Sequence, residues 1–373
     1  MVLISVLICL GVVEAVLRVF APQINEHDKM FMFNPELGWS FIPEKKGMII
    51  YPGEANHEIV INEAGFRDAP FVDLPDQKKV MVFGDSFVSN VSVKAPEVFT
   101  EVLEQQLNAI SVMNFGVNGY GQVQELLLLR NWVDRVDPEL VVLTVYVRND
   151  FADNMGKGQW NYDKPVATWE DSLKILSMEE VVSDRGRLGN KRPAGQKFYH
   201  HLHLYHFVKQ RLFNMQSKYR TESRAKVSAY VPPELYLCLK ETTPEVMTMR
   251  RVMEQLLLEF SNELASRNIP FVLMIAPSIV QVEEALWQQL ISTQTDDPGE
   301  YDRTLPNRQL ESFAQANGIL TLNLFPRLRE LSTQGRTLYN ANEQHWNREG
   351  NQVVANELQA FLELHVSDIF QPE

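Results

Sequence analysis

Cysteine is nearly missing: only Cys9 and Cys238 occur in 373 residues. Two thiols can build neither a disulfide framework nor a thiolate metal cage, so cysteine usage leaves the redox compartment open. Positive charge is also short. The 35 Lys and Arg stand against 48 Asp and Glu, a formal net charge of −13. A protein that grips nucleic-acid phosphates needs a basic face, and this balance argues against one. Repeats and low-complexity tracts are absent. So are a P-loop, an HExxH pair, zinc-ribbon spacing and a GxSxG elbow.

What is present is ordinary globular material. At 45% hydrophobic and 22% charged the chain can bury a sizeable core, and it is too apolar for disorder. The length fits two domains, or one α/β domain with insertions.

One long apolar run opens the sequence. Val2 to Ala21 is about 20 residues, or roughly 30 Å as a helix, the thickness of a bilayer core. Glu14 and Arg18 interrupt it, four apart on one helix face and able to pair. Pro22 ends it. The expectation is a membrane anchor over residues 1–22. A signal peptide cut near "VEA" lacks a basic n-region, and a buried helix is the third choice. No Lys or Arg precedes the span to set its orientation.

Residues 23–77 read as an irregular lead-in with one alternating stretch, "HEIVIN". A strand–helix alternation follows. Lys79–Phe83, Val112–Phe115, Leu140–Tyr146, Phe271–Ile275 and Leu320–Asn323 are short, mostly β-branched and apolar on both faces, as sandwiched parallel strands are. Helical spacing covers Val98–Asn108, Gln122–Val133, Glu245–Arg267, Ile279–Ser292, Arg308–Asn317 and Arg348–His365. Repeating β–α units give an open parallel sheet with helices on both faces. Residues 154–243 do not fit, being far longer than a normal crossover. They read as an inserted subdomain that splits an α/β domain into residues 78–153 and 244–373, placed to shape a pocket.

Chemistry concentrates where strands end. "VMVFGDSFVSN" stops at Gly84 and continues with Asp85 and Ser86. Gly, Asp and Ser are common turn formers, but open α/β folds also place their chemistry at this edge. A serine nucleophile needs a base, an orienter for that base, and donors aimed at the oxyanion. After the second strand "NFGVNGYG" offers Gly119, whose backbone can approach a ligand closely. After the third, "YVRNDFADN" offers the Asn149 amide. Before the last helix, "NANEQHWNREG" offers His345 as base and Glu343 as its orienter. Singly, each is as well explained as a turn, a cap or a polar loop residue. Jointly they fall where one site can collect them.

The four blocks "GDSF", "NFGVNGYG", "RND" and "HWNREGN" resemble those of the SGNH, or GDSL-type, hydrolases and acyltransferases. "LGW", "INEAGFRD" and "DPELVVLTVYVRND" resemble a bacterial, membrane-anchored branch. The likeness covers roughly residues 35–150 and 245–365. It implies a three-layer αβα, flavodoxin-like fold without a cofactor. It also implies Ser86 as acyl acceptor and His345 as general base then acid. The N–H groups of Ser86 and Gly119, with the Asn149 side chain, would form the oxyanion hole, and Asp85 would shape the turn. The family's aspartate shortly before the His is replaced here by Glu343 or Asn342, and an Asp-to-Asn change in a triad protease costs about 10⁴ in rate. Val147 replaces a Gly common two before the Asn.

The expected function is a serine-dependent acyl-ester hydrolase or O-acyltransferase, membrane-anchored and extracytoplasmic. Its expected substrate is an acylated carbohydrate or polymer. Hydrolysis and transfer share every step to the acyl-enzyme. The alternative is a non-catalytic glycan-binding or assembly factor. "HHLHLYH" places His200 and His203, or His203 and His206, one turn apart for a metal, but no carboxylate completes the set and a solvated helix is the expectation. Asn90-Val91-Ser92 fits a glycosylation sequon.

Overall fold

Five of the apolar runs form one sheet. In the computed structural model they are β5 (Lys78–Gly84), β6 (Ile110–Gly116), β7 (Leu140–Tyr146), β10 (Phe271–Ala276) and β11 (Leu320–Asn323), preceded by two antiparallel hairpins, β1–β2 (Phe31–Asn34, Gly38–Phe41) and β3–β4 (Lys46–Tyr51, Ala55–Val60). A third hairpin, β8–β9 (Val166–Trp169, Leu173–Leu176), lies in the insertion. The structure describes residues 2–21, 23–51, 53–71, 77–107, 110–156, 158–160, 162–185, 202–220, 233–295 and 297–367. Spatial order in the sheet is β11-β10-β7-β5-β6, with every neighbouring pair parallel. Counted along the sheet's own strands this is the flavodoxin-like order, whose switch point lies between the first and third. Here those are β5 and β7, the strands that lead into Ser86 and Asn149.

Helices α1 (Val2–Phe20), α2 (Ser86–Ser89), α3 (Phe99–Gln106), α4 (Gln122–Val136), α5 (Asp150–Asp153), α6 (Met178–Arg185) and α7 (His203–Arg220) lie in the first part of the chain. The second part holds α8 (Pro233–Tyr236), α9 (Pro244–Ala265), α10 (Ile279–Val282), α11 (Glu284–Gln294), α12 (Leu305–Ala316), α13 (Phe325–Thr333) and α14 (Arg348–His365). Alternate strand residues point to opposite faces and so feed two cores. Phe83, Phe115, Val141, Leu143 and Leu273 join α4 and α9 in one. Val80, Val82, Val112, Val142 and Met274 join α3 and α14 in the other. The three-layer αβα expectation holds.

Three expectations need correcting. The predicted helix over 279–292 is two pieces, α10 and α11, because Glu283 between them is extended (φ −85°, ψ 115°). The lead-in is not irregular: it folds into the first two hairpins, and Trp39, Phe41, Ile49 and Ile59 join the core under α4 and α9. The membrane-spanning helix is not met either. Among the described residues no helix is long and apolar enough to cross a membrane. Glu14 and Arg18 interrupt the run and pair at 2.9 Å, and Glu14 also accepts the N–H groups of His203 (3.0 Å) and Leu204 (2.8 Å) at the start of α7. Val2, Ile4, Ile8, Val19 and Phe20 on α1 are exposed.

Candidate active site

Gly84 ends β5 with φ +159°, and an added Cβ would lie 2.4 Å from the Val88 side chain. The close packing of α2 on the strand end therefore needs this glycine. Asp85 caps α2, accepting the Phe87 N–H at 2.8 Å. It shapes the turn, as the family resemblance implies. Ser86, the first residue of α2, carries an N–H with no carbonyl behind it inside the helix.

The base arrives from the other end of the chain. His345 Nε2 lies 2.8 Å from Ser86 Oγ across 259 positions. Phe87 packs beside the imidazole with ring centroids 5.0 Å apart. Asn90 ties the two loops together, donating from Nδ2 to the Trp346 carbonyl at 2.9 Å. Asn90 is fully buried, so the Asn90 sequon offers no accessible acceptor for a glycan.

Buried Arg67, from the "GFRD" stretch, clamps the turn after α2. Its Nη1 donates to the carbonyls of Ser89 (2.8 Å) and Asn90 (2.5 Å), and Nη2 to that of Val93 (2.6 Å). Carbonyls at and beyond a helix C-terminus have no partner inside the helix, and the guanidinium supplies one to each of these three.

Glu343 does not stand behind His345. Its carboxyl turns toward the Tyr51 hydroxyl and is pushed up in pKa by burial, with the Glu54 charge adding to the effect. The cause is local backbone geometry: Gln344, between the two, is in the left-handed region at φ +63°. Asn342 is exposed. Among the described residues the buried His345 Nδ1 has no hydrogen-bond partner of normal geometry, and the Glu343 contribution that favours the protonated ring comes from its main-chain carbonyl. Burial dominates and pushes the His345 pKa down to about 4.

Asn149 lies beside Ser86 but is engaged. Its Nδ2 donates to Asp153 Oδ2 at 2.7 Å, and lies 3.4 Å from Asp85 Oδ2 and 3.3 Å from Asp150 Oδ1. Beneath it Asp85, Glu125 and Asp150 are buried and Asp153 is half-buried. Burial raises all four, Asp85 to about 6. Three of them, Asp153, Asp150 and Glu125, share one buried amine, Lys164, which burial pushes down. Gln122 donates to Asp150 at 2.8 Å, as does the Tyr146 N–H. Isolated buried carboxylates are costly, so protonation and amide partners carry much of this cluster. Val147, in place of a glycine, is buried and donates its N–H to Ala276 O at 3.2 Å.

A cleft of about 310 Å³ opens over these groups. Ser86, Gly119, Asn149 and His345 line it, with His27 and Tyr51 from the lead-in and Gln159 and Trp160 from the insertion. Arg148 and Asp153 also line it. Of these six only Arg148 falls inside one of the four blocks, "RND", and that block suggests no role for it; Asp153 follows three residues after the block. Gly119 has φ +74°, and a Cβ there would fall 2.6 Å from the Gln159 amide. Gly119→Ala should therefore cost about 1–2 kcal/mol from the left-handed backbone, read by urea unfolding. A cost near zero would mean that the turn relaxes.

His203 uses Nδ1 to accept the Gln23 N–H at 2.8 Å. No cluster that could hold a metal occurs among the described residues, and His200 lies outside them.

A serine hydroxyl on an imidazole, at the switch point of a parallel sheet, is the arrangement of a serine-nucleophile site for acyl transfer. Residues 241–371 match the family described as the SGNH hydrolase-like domain of the acetyltransferase AlgX. The matched span resembles an SGNH hydrolase-like domain, and of the four blocks only "HWNREGN" falls inside it. No curated protein matches the chain. Among solved structures, a G-D-S-L family lipolytic protein from Veillonella parvula DSM 2008 is 13% identical with a TM-score of 0.37, over 78% of this chain and 98% of that one. The acetyl xylan esterase AlAXEase is 13% identical with a TM-score of 0.39, over 76% and 98%. Esterase EstA from Pseudoalteromonas sp. is 11% identical with a TM-score of 0.37, over 78% and 100%.

Proposed function

We propose that this protein transfers acyl groups through Ser86, as an acyl-ester hydrolase or an O-acyltransferase acting on an acylated carbohydrate. The 2.8 Å contact between Ser86 Oγ and His345 Nε2 carries the reading. With Nε2 unprotonated and Nδ1 carrying the proton toward the Glu343 carbonyl, the ring accepts the Ser86 proton as Oγ attacks the ester carbonyl. Backbone N–H groups of Ser86 and Gly119, both of which line the cleft, would stabilise the oxygen that becomes negative. Asn149 joins them once its amide leaves Asp153. The ring then returns its proton to the departing alcohol, leaving an acyl-serine. Water or a sugar hydroxyl resolves that ester. The acyl-transfer part of the reading is supported by the acetyltransferase description of the matching family. We place the domain outside the cytoplasm because of the apolar N-terminal run, and protease accessibility in intact cells tests this.

A fluorophosphonate probe should label the wild-type serine and leave Ser86→Ala unlabelled. An unlabelled wild type would sink the enzymatic reading. Two observations favour a second one, a glycan-binding factor that keeps the fold: His345 Nδ1 has no carboxylate behind it, and Asn149 is held by Asp153. Glycan binding that survives both Ser86→Ala and His345→Ala, in a protein that never labels, would select it.

A further inference from the structure

We infer that Glu54, in the turn of the β3–β4 hairpin, is the positioning residue for His345, which presumes the acyl-transfer reading above. One carboxylate grips two successive backbone N–H groups of the base's loop. Glu54 Oε1 accepts from Asn342 at 2.7 Å and Oε2 from Glu343 at 3.2 Å, across 288 and 289 positions. Hydrogen bonds to a charged acceptor are about twice as strong as neutral ones.

The loop needs such a grip. Ala341 and Asn342 at its tip are exposed, so apolar packing does not anchor it there. Its internal bonds are Asn340 N–H to His345 O and Gln344 N–H to Asn340 O, both 2.8 Å. Gln344 holds a left-handed conformation (φ +63°) that costs a non-glycine residue about 1–2 kcal/mol. A turn under that strain relaxes unless its surroundings hold it.

The site also makes the loop decisive. In a triad a carboxylate on the far nitrogen fixes the ring. Among the described residues His345 Nδ1 has no such partner, so the placing of the ring leans on the backbone of its loop. Glu54 holds that backbone two and three residues before the ring. Proton transfer in the 2.8 Å contact depends on this aim, and a shift of about 1 Å can cost on the order of 100-fold. Glu54 touches no reacting atom; it acts through the loop. The hairpin that carries it belongs to the lead-in, so this segment is part of the catalytic apparatus.

The test uses the full chain and compares wild type, Glu54→Ala, Glu54→Gln and Ser86→Ala. Glu54→Ala should slow fluorophosphonate labelling by about 10- to 100-fold. With a p-nitrophenyl acetate substrate, kcat should fall while KM stays within about twofold, because a positioning defect leaves uniform binding intact. Glu54→Gln keeps a carbonyl acceptor and should recover part of the loss. Wild-type rates in a folded Glu54→Ala protein overturn the inference, as does a KM effect with kcat unchanged. Amide hydrogen exchange at Asn342 and Glu343 reads the grip without any activity. Glu54→Ala should speed both by at least about tenfold, and unchanged protection overturns the inference even if the alanine variant is inactive. Failure of the wild type to label instead overturns the acyl-transfer reading, while exchange at these amides still decides whether Glu54 holds the loop.

Discussion

His345→Ala should lower the labelling and ester-cleavage rates by about 10²–10⁴-fold, the usual worth of a positioned general base. The variant keeps Ser86, its N–H and Gly119, so residual reaction over water should survive. The acid limb of the wild type tests the environment of the ring. Burial holds the His345 pKa down to about 4, against an ordinary value of 6.5. The neutral, proton-accepting ring should therefore persist well below pH 6.5. An NMR titration of the imidazole should show a midpoint near 4. The sign for stability follows. Between pH 6.5 and 4 the unfolded chain binds a proton that the folded one refuses, so acidification through this window destabilises the fold. A midpoint at 6.5 or above would mean that a carboxylate reaches Nδ1 in solution, and the dyad would become a triad.

Arg67→Ala should cost about 3–5 kcal/mol of unfolding free energy. Its guanidinium is buried and donates to three carbonyls, those of Ser89, Asn90 and Val93. A buried polar group left unpaired costs about 1–3 kcal/mol, and three share the loss here, some finding substitutes. Burial lowers the Arg67 pKa to about 10, so the side chain stays charged at neutral pH. Arg67→Lys should recover little, because an ammonium cannot reproduce a planar fork. Urea unfolding measures the loss, and a cost under about 1 kcal/mol would show that the turn after α2 does not depend on the clamp. The same variant should slow Ser86 labelling, since the clamp fixes the helix that presents the nucleophile.

The parallel sheet was legible because a strand buried on both faces leaves an uninterrupted apolar run. Leu140–Tyr146 and Leu320–Asn323 match to the residue. The lead-in hairpins were not, because strands of four to six residues carry too few alternations to separate from loop. α13 was missed for a related reason: nine residues with an early proline and mixed charges hold only about two and a half turns of periodicity. Of the site, the seryl and imidazole positions followed from their place at strand ends and from the family blocks. The direction of Glu343 did not, because one left-handed residue, Gln344, reverses the face on which a side chain two positions away emerges. Nor did the buried acids. Glu125 and Asp150 have the letters of surface residues, and only the folded chain shows them beneath the nucleophile.

The 259 positions between hydroxyl and imidazole bear on how the protein is made. Ribosomes extend chains at about 5–20 residues per second, so Ser86 leaves the exit tunnel on the order of tens of seconds before its base. On the acyl-transfer reading the hydroxyl waits through that interval without its proton acceptor, and a fragment ending before His345 should label no faster than His345→Ala.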